Sequence, residues 1–439
     1  MKLNKLLLAL AASGIATSAF ATNGYFAHGN GMTAKGMAGA ATAMTKDAFG
    51  GANNPATMVW VGNRYDVGAD AFSPVRNATR TGSAQAQHAI QNPNYPSGFF
   101  DGFNGSWDSD NELFAVPEFG YNKMQSDKMS LGVTVYGNGG MNTDYATNSS
   151  GMNILNGSTA LGVDLVQLVV APTVSYKVNE STSVGLSPLF GFQRFEAYGL
   201  QAFTGASSSS GSVTNNGVDD ATGFGARVGF YSKLNDKMSV GAAYSTKIDM
   251  SKFDKYKGLF AEQGNFDLPE NWNIGLAIQA SDKLSLAFDY QHISYSGVKA
   301  VANVSTAILS GVALGADNGS GFGWSDMDIS KLGVEYKYSP KMTIRAGYSH
   351  TDSPIQARDV TFNILAPAVI EDHYTLGFTY NLDKDSDLTV AYAHAVENSL
   401  SGASLFTSMG AGLTSPAVSG TETIKMHQNS IGIAYSKKF

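Results

Sequence analysis

Ser281-Asp282-Lys283-Leu284-Ser285-Leu286-Ala287-Phe288-Asp289-Tyr290-Gln291 is the stretch that decides the fold of this chain. A polar turn gives way at once to Leu284, Leu286, Phe288 and Tyr290, which alternate with Ser285, Ala287, Asp289 and Gln291. Successive side chains of a strand point to opposite faces, so the spacing predicts a β-strand with one apolar face and one small or polar face. The phrase returns. Copies begin at Ser126-Asp127-Lys128, Glu180-Ser181-Thr182, Asn235-Asp236-Lys237, Ser339-Pro340-Lys341 and Asp385-Ser386-Asp387, which makes six in all. Each sits between two runs of period-two hydrophobicity and reads as a tight hairpin turn. Longer, more variable segments separate consecutive copies. Short turns on one side and long loops on the other are the asymmetry of an outer-membrane barrel.

The strand after Lys341 carries the same alternation, with Met342, Ile344, Ala346 and Tyr348 set against Thr343, Arg345, Gly347 and Ser349. A soluble sandwich would alternate too, but its outer face meets bulk water and is seldom so poor in charge. Only 15% of this chain is charged. In a membrane barrel the apolar set faces lipid and the other set faces the lumen, while aromatics gather at the ends of the apolar band. Tyr290, Tyr348, Tyr380 and Tyr392 fit that girdle.

The two ends address the protein independently. Lys2 and Lys5 precede an apolar stretch over residues 6–12, and Ala19-Phe20-Ala21 supplies a small-x-small cleavage site, so residues 1–21 are expected to be a signal peptide and Thr22 the mature N-terminus. That apolar core is shorter than the roughly 20 residues of a spanning helix. No other stretch approaches one, so strands must carry membrane residence, and a closed barrel pairs every backbone polar group in lipid. At the far end Ile431, Ile433, Tyr435 and Phe439 share one face of a terminal strand that stops on an aromatic residue. This resembles the assembly signal of Gram-negative outer-membrane barrels, and makes the barrel assembly machinery, outer-membrane lipid and lipopolysaccharide expected partners. The chain has no cysteine, which removes disulfides, thiolate metal sites and cysteine nucleophiles. A net charge of −7 and a pI near 5.5 argue against nucleic acid as a partner, since phosphate binding needs a basic surface.

Six turns joining twelve strands, with one further strand at each end, predict fourteen over residues 62–439. The first is expected over 64–75, the next two over 113–122 and 129–136, the fourth and fifth over 163–176 and 183–195, and the last over 425–439. An even count suits a single-chain bacterial barrel. The long connections, 76–111, 141–161, 198–222, 251–271, 298–326, 353–371 and 398–423, are rich in Gly, Ser, Asn and Asp and form the expected capture surface.

Residues 22–61 do not fit the barrel. They show no alternation, are packed with Gly and Ala, and carry Met32, Met37, Met44 and Met58. A short helix is expected over 34–44 with Thr33 as its N-cap, and a second at Asn54-Pro55-Ala56, where Asn caps and Pro suits the first helical position. Small residues let such helices pack closely. The expected role is a plug, or hatch, inside the lumen, against the alternative of a disordered N-terminus.

The chain resembles the FadL-like outer-membrane channels for long-chain fatty acids and other hydrophobic compounds. The resemblance covers essentially the whole mature chain. It rests on Asn23-Gly24-Tyr25-Phe26-Ala27-His28-Gly29, on Asn54-Pro55-Ala56 ahead of the first strand, on the strand count, and on Tyr136-Gly137-Asn138-Gly139-Gly140-Met141-Asn142-Thr143-Asp144 after the third strand. It implies a barrel closed by an N-terminal hatch, with substrate partitioning into a groove on the outer loops, passing to an interior pocket and leaving sideways through a gap at a kinked third strand. Phe26, Asn54, Pro55, Ala56, Gly137, Gly139 and Gly140 are then hatch and gate residues. Taken by themselves, the three glycines also read as the start of a flexible loop.

Apolar side chains interrupt two otherwise polar loops: Leu200 and Phe203 in one, Leu259, Phe260 and Phe266 with Leu268 in another. Exposed apolar patches mark binding, although such groups also form a loop core. By strand parity Arg227, Lys331 and Arg345 point into the lumen, opposite Val228, Leu332 and Ile344, and Arg194 is expected to do so near the outer rim. A carboxylate in a low-dielectric pocket needs a cationic partner. Asp289 and Glu335 share that lumen, so structural ion pairing competes with ligand binding. A long-chain fatty acid or another apolar small molecule is the expected ligand of a monomer that needs no cofactor. Enzyme motifs are missing: no His-Glu-x-x-His, no Gly-x-Ser-x-Gly and no phosphate loop occur. An outer-membrane lipid hydrolase with separated Ser and His, an aqueous porin and an adhesin are the rival readings.

Overall fold

The computed structural model describes residues 23–81, 104–406 and 420–439; the expected leader, Thr22 and much of the first and last outer loops lie outside the described residues. Fourteen long antiparallel strands follow one another around a closed barrel. They are β1 (Arg64–Thr81), β2 (Phe114–Ser126), β3 (Met129–Tyr145), β4 (Leu161–Lys177), β5 (Thr182–Tyr198), β6 (Asp219–Asn235) and β7 (Met238–Ser245), then β8 (Asn271–Gln279), β9 (Leu284–Ile293), β10 (Met327–Ser339), β11 (Met342–His350), β12 (Asp372–Asn381), β13 (Ser386–Ala403) and β14 (Thr421–Lys438). Each pairs with its neighbours in sequence, and β14 pairs back onto β1 from Arg64 opposite Lys438 to Thr81 opposite Thr421. The barrel is thus sealed at its seam. Two short strands, Gly105–Asp108 and Asp249–Met250, lie against β1 and β6.

The alternation read from the sequence sets the two faces. Leu376, Ile431 and Ile433 are exposed on the outer wall, whereas Thr375, Ser430 and Asp289 beside the same strands are buried. Apolar groups can face outward because lipid is the solvent there. Among the described residues no helix is long and apolar enough to cross a membrane.

The strands reach further outward than the pattern predicts. Residues 76–81 and 421–423 were expected in loops, yet they continue β1 and β14 as a paired ladder in which Arg80 and Glu422 form a buried ion pair. Cross-strand charge compensation replaces alternation there. Likewise β13 runs on to Ala403.

Residues 23–61 lie against the inward face. The helix expected over 34–44 is a single turn, Met32–Lys35, with Gly31 and not Thr33 at its N-cap and no side-chain cap bond. It stops because Ala38 and Gly39 take φ of 55° and 80°, which turns the chain out of the helix. Pro55–Trp60 forms a 3₁₀ helix with Asn54 at its N-cap, whose Oδ1 accepts the Ala56 N–H at 3.1 Å. The barrel accommodates the segment through inward-facing glycines on successive strands. A Cβ on Gly185 or Gly229 would overlap Asn54-Pro55-Ala56, on Gly241 or Gly275 it would meet Thr42, and on Gly333 or Gly347 it would meet Met37. Backbone therefore packs on backbone around the lumen.

Polar contacts fix the same segment. Asp289 Oδ2 accepts the N–H of Ala41 and of Thr42 and the Thr42 hydroxyl at 2.7–2.9 Å. Ser175 and Ser183 donate to the Ala56 carbonyl at 3.0 and 2.7 Å, and Asn122 donates to the Met58 and Gly62 carbonyls, each at 2.8 Å. Trp60 closes the lower end between two cations, with Lys177 Nζ 4.4 Å and Lys233 Nζ 4.2 Å from its ring centre.

Candidate transport site

The outer loops fold inward over the barrel mouth and enclose an apolar pocket of about 610 Å³, part of it open to solvent. Leu200, Phe203, Leu259, Phe260 and Phe266 all line it. They are not a surface patch: Phe203 and Phe260 are buried, and Phe195 packs against Phe260 at 4.7 Å, as does Phe266 at 4.9 Å. The same groups thus form both the loop core and the pocket wall. Other loops add Leu155, Phe322 and Phe362, and the strand ends add Met141 and Val163. The Gly321-Phe322-Gly323-Trp324 run is the sequence signal that would have exposed part of this contribution, an aromatic pair set among glycines in a polar loop.

Below the pocket lies an aromatic layer made by the N-terminal segment and the loops. Tyr25 packs on Tyr295 at 5.1 Å, on Trp324 at 5.8 Å and on Phe266 at 5.9 Å, and Phe26 meets Tyr295 edge-on at 6.0 Å. The Tyr295 hydroxyl donates to the Asn23 carbonyl at 2.6 Å. Burial raises the Tyr25 phenol well above its ordinary value and keeps it neutral.

Beneath that layer is a second cavity of about 540 Å³, polar where the first is greasy, with Arg227, Lys331, Asp289, Asn138 and His28 on its wall. Arg227 donates to Asn271 Oδ1 at 2.9 Å and to the Asn53 carbonyl at 3.3 Å; Lys331 donates to Gln291 Oε1 at 2.8 Å. Among the described residues no carboxylate lies within ion-pair distance of either cation, because Asp289 is engaged by Ala41 and Thr42. The other two expected cations lie elsewhere. Arg345 is bonded to Glu335, which also takes Lys46, so it is spent on structural ion pairing under the N-terminal segment. Arg194 is exposed on the outer wall, because Gln193 and Phe195 take the inward positions of β5.

The wall beside this cavity is interrupted. The ladder between β2 and β3 runs from Ser126 opposite Met129 only to Phe119 opposite Val135. Above that point residues 114–118 pair only with β1, and residues 136–145 of β3 pair with β4. The opening closes again where Asp110 N–H donates to the Asp144 carbonyl at 2.8 Å, and the Arg76 guanidinium spans it by donating to the Asn111 and Asn142 carbonyls. Asn138 is a bulge, with the register against β4 shifting between Gly137 and Gly139. The free edge of β3 is partly satisfied by the N-terminus: Ala27 N–H donates to the Asn138 carbonyl at 2.9 Å, and Gly140 N–H to the Tyr25 carbonyl at 3.2 Å. Phe26 bridges Gly139, where any Cβ would overlap the Tyr25 carbonyl. Ala27 packs on Phe72, Phe114 and Val116 across the opening.

A closed fourteen-stranded barrel with its lumen occupied by its own N-terminus and an apolar pocket under its loops defines a class of outer-membrane transport proteins. The chain belongs to the outer membrane protein transport protein family (OMPP1/FadL/TodX), whose model matches residues 8–408. It is 22% identical over 326 residues to the long-chain fatty acid transport protein of Escherichia coli, covering 64% of this chain and 70% of that one. It is 24% identical over 200 residues to a 47 kDa outer membrane protein of Pasteurella multocida, a match spanning 40% of this chain and only 44% of the relative. In fold it is similar to the toluene transporter TodX of Pseudomonas putida, with a TM-score of 0.66, 18% identity and coverage of 94% and 99%. A Pseudomonas aeruginosa FadL homologue superposes with a TM-score of 0.67, 16% identity and coverage of 95% and 100%. The protein resides in the outer membrane.

Proposed function

We propose that this protein takes up long-chain fatty acids or other hydrophobic small molecules, capturing them in the outer apolar pocket and releasing them sideways into the membrane between β2 and β3. One observation carries the reading: the interrupted ladder opens beside the cavity that lies under the apolar pocket, and residues 25–27 lie against its inner side. Residues 30–61 act as a hatch that closes the direct path to the periplasm, since their backbone is wedged against the wall. Apolar solutes thereby avoid a water-filled lumen. An ionised head, where the ligand has one, meets Arg227 and Lys331 in the lower cavity. The apolar lining of the upper pocket suits a lipid or hydrocarbon.

The rival readings find less support. Among the described residues Ser349 Oγ lies 2.9 Å from His28 Nε2 and 3.5 Å from His373 Nδ1, but His28 Nδ1 and His373 Nε2 have no partner, so no carboxylate orients either ring as a hydrolase would need. An aqueous porin is disfavoured by the segment filling its lumen. The test is uptake at limiting ligand by the Leu259→Ser/Phe260→Ser protein. Losing two buried apolar groups is expected to weaken capture by about 3 kcal/mol while leaving assembly intact. Unchanged uptake at normal surface levels would remove the upper pocket from the route.

A further inference from the structure

Under the polar cavity that holds Arg227 and Lys331 lies a further one, and only a thin part of the N-terminal segment stands between them. It encloses about 320 Å³, part of it open to solvent, and is lined by clasped residues that include Met37, Ala41, Met44, Lys46 and Gly50. Asn53 lines both cavities. The partition is made by residues 39–42 and 50–53: Gly39, Thr42 and Ala52 line the polar cavity, Ala40, Ala41 and Gly50 the one beneath, so it is a single backbone layer thick. None of its residues carries a large side chain. Although the wall surrounds them, Ala41 and Asn53 are only half-buried, as are Met44, Lys46 and Asp47 at the lower end. That end reaches the periplasmic rim, where Arg64, opposite Lys438 at the foot of β1, donates to the Lys46 carbonyl at 2.6 Å.

The polar cavity calls for water. Among the residues on its wall, His28 Nδ1, Arg227 Nε and Asp289 Oδ1 are buried without a hydrogen-bond partner, and a roomy polar cavity with such groups holds ordered water. On the uptake reading it calls for water a second time, because ligand that leaves sideways vacates space, and a polar cavity left empty is costly. The aromatic layer and the apolar pocket stand above it, and the break between β2 and β3 leads to lipid. The partition is the polar way in. We propose that the clasped segment carries a water path from the periplasm, past Met44 and Ala41 and beside Asn53, into the polar cavity, and that water entering by it fills the space a departing ligand leaves. The refilling role rests on the uptake reading; the path itself does not. The hatch is then closed to apolar ligands, which gain nothing from a polar passage, and open to water.

The test mixes the full mature chain in lipid nanodiscs briefly with oxygen-18 water and irradiates it, so that hydroxyl radicals form from whatever water is in place, and reads labelled oxygen at each side chain by mass spectrometry. The methionines of the segment supply their own control. Met37 lines the lower cavity, whereas Met32 and Met58 are equally buried and line neither cavity. Met37 is expected to take up labelled oxygen roughly fivefold faster than Met32 and Met58, which meet water only when the segment opens. Ala41→Leu puts a larger side chain into the path and should slow labelling of Tyr136, on the wall of the polar cavity, by a similar factor. Continued protection of Met32 and Met58 in that variant shows that the segment is still clasped. Met37 as protected as Met32 and Met58, or carrying only unlabelled oxygen, would overturn the water path and leave the uptake reading standing. Labelled Met37 in a protein that takes up no ligand would overturn the uptake reading and leave the path.

Discussion

Two parts of one N-terminal segment meet the barrel in opposite ways. Residues 30–61 are clasped: glycines on strand after strand bring wall and segment backbones into contact, and Asp289, Ser175, Ser183 and Asn122 add hydrogen bonds. Residues 23–29 instead hold at separate points: to a strand edge by two backbone hydrogen bonds, to the loops by an aromatic stack and the Tyr295 hydroxyl, and to the opposite wall at His28, which meets Ser349 and His373. The clasped part has no room to move without deforming the wall. At the break between β2 and β3 what holds the edge-bound part is those two backbone hydrogen bonds and the packing of Ala27. On the uptake route proposed above, gating would belong to the second part and closure to the first.

The largest expected effect comes from breaking the clasp. Gly241→Val with Gly347→Val would force side chains into Thr42 and Met37, and overpacking of this kind costs about 1–3 kcal/mol at each site. Thermal unfolding followed by gel mobility is expected to show a markedly less stable barrel. An unchanged midpoint would mean that the clasped part yields easily, and the contrast would collapse.

A smaller effect is expected at the edge. Gly139→Ala puts a Cβ into the Tyr25 carbonyl, so residues 25–27 should detach while the barrel keeps its stability to within about 1 kcal/mol. Hydrogen exchange at the Gly140 amide reads this directly: faster exchange is expected in the variant, and wild-type protection would show that the N-terminus does not cover that edge.

The smallest effect is a pH dependence. Burial, the neighbouring His373 and the cations Lys331 and Lys35 hold the His28 imidazole well below its ordinary value, so it is neutral in place. A group depressed in this way favours the closed arrangement above its ordinary value, near 6.5, and opposes it as pH falls below that. Its ring stacks on His373 at 4.4 Å, with Ser349 on Nε2. Exchange over residues 23–29 is expected to rise between about pH 6.5 and 5 relative to residues 30–61. His28→Gln should flatten that rise, and equal acceleration of both parts would count against their separation.

Much of the barrel was legible because lipid imposes one rule on every strand. Leu284 to Gln291 announces its faces by parity alone, and the six polar turns mark one rim. The strand ends at Arg80 and Glu422 were not legible, since each depends on a charge partner more than 340 residues away. In the site, the loop aromatics Phe203 and Phe260 stood out against a polar background, and parity turned Arg227 and Lys331 inward. Arg194 does not point inward as expected, because the same alternation that turns Val184, Leu186 and Phe190 outward runs unbroken to it. The clasp was hidden in plain sight. Gly241, Gly275, Gly333 and Gly347 all fall at inward positions, but a small residue facing a lumen says nothing until something is known to press on it.

The central claim is that ligand leaves through the wall and not through the hatch. It is tested most directly by delivering a photoreactive fatty acid to intact cells, irradiating during uptake and mapping the adducts by mass spectrometry. Lateral release predicts adducts on Phe203 and Phe260, then on Phe26, Tyr136 and Val116 beside the break. Adducts on Met37, Met44 and Thr57 in the interior of the clasped segment, with none at the break, would contradict it.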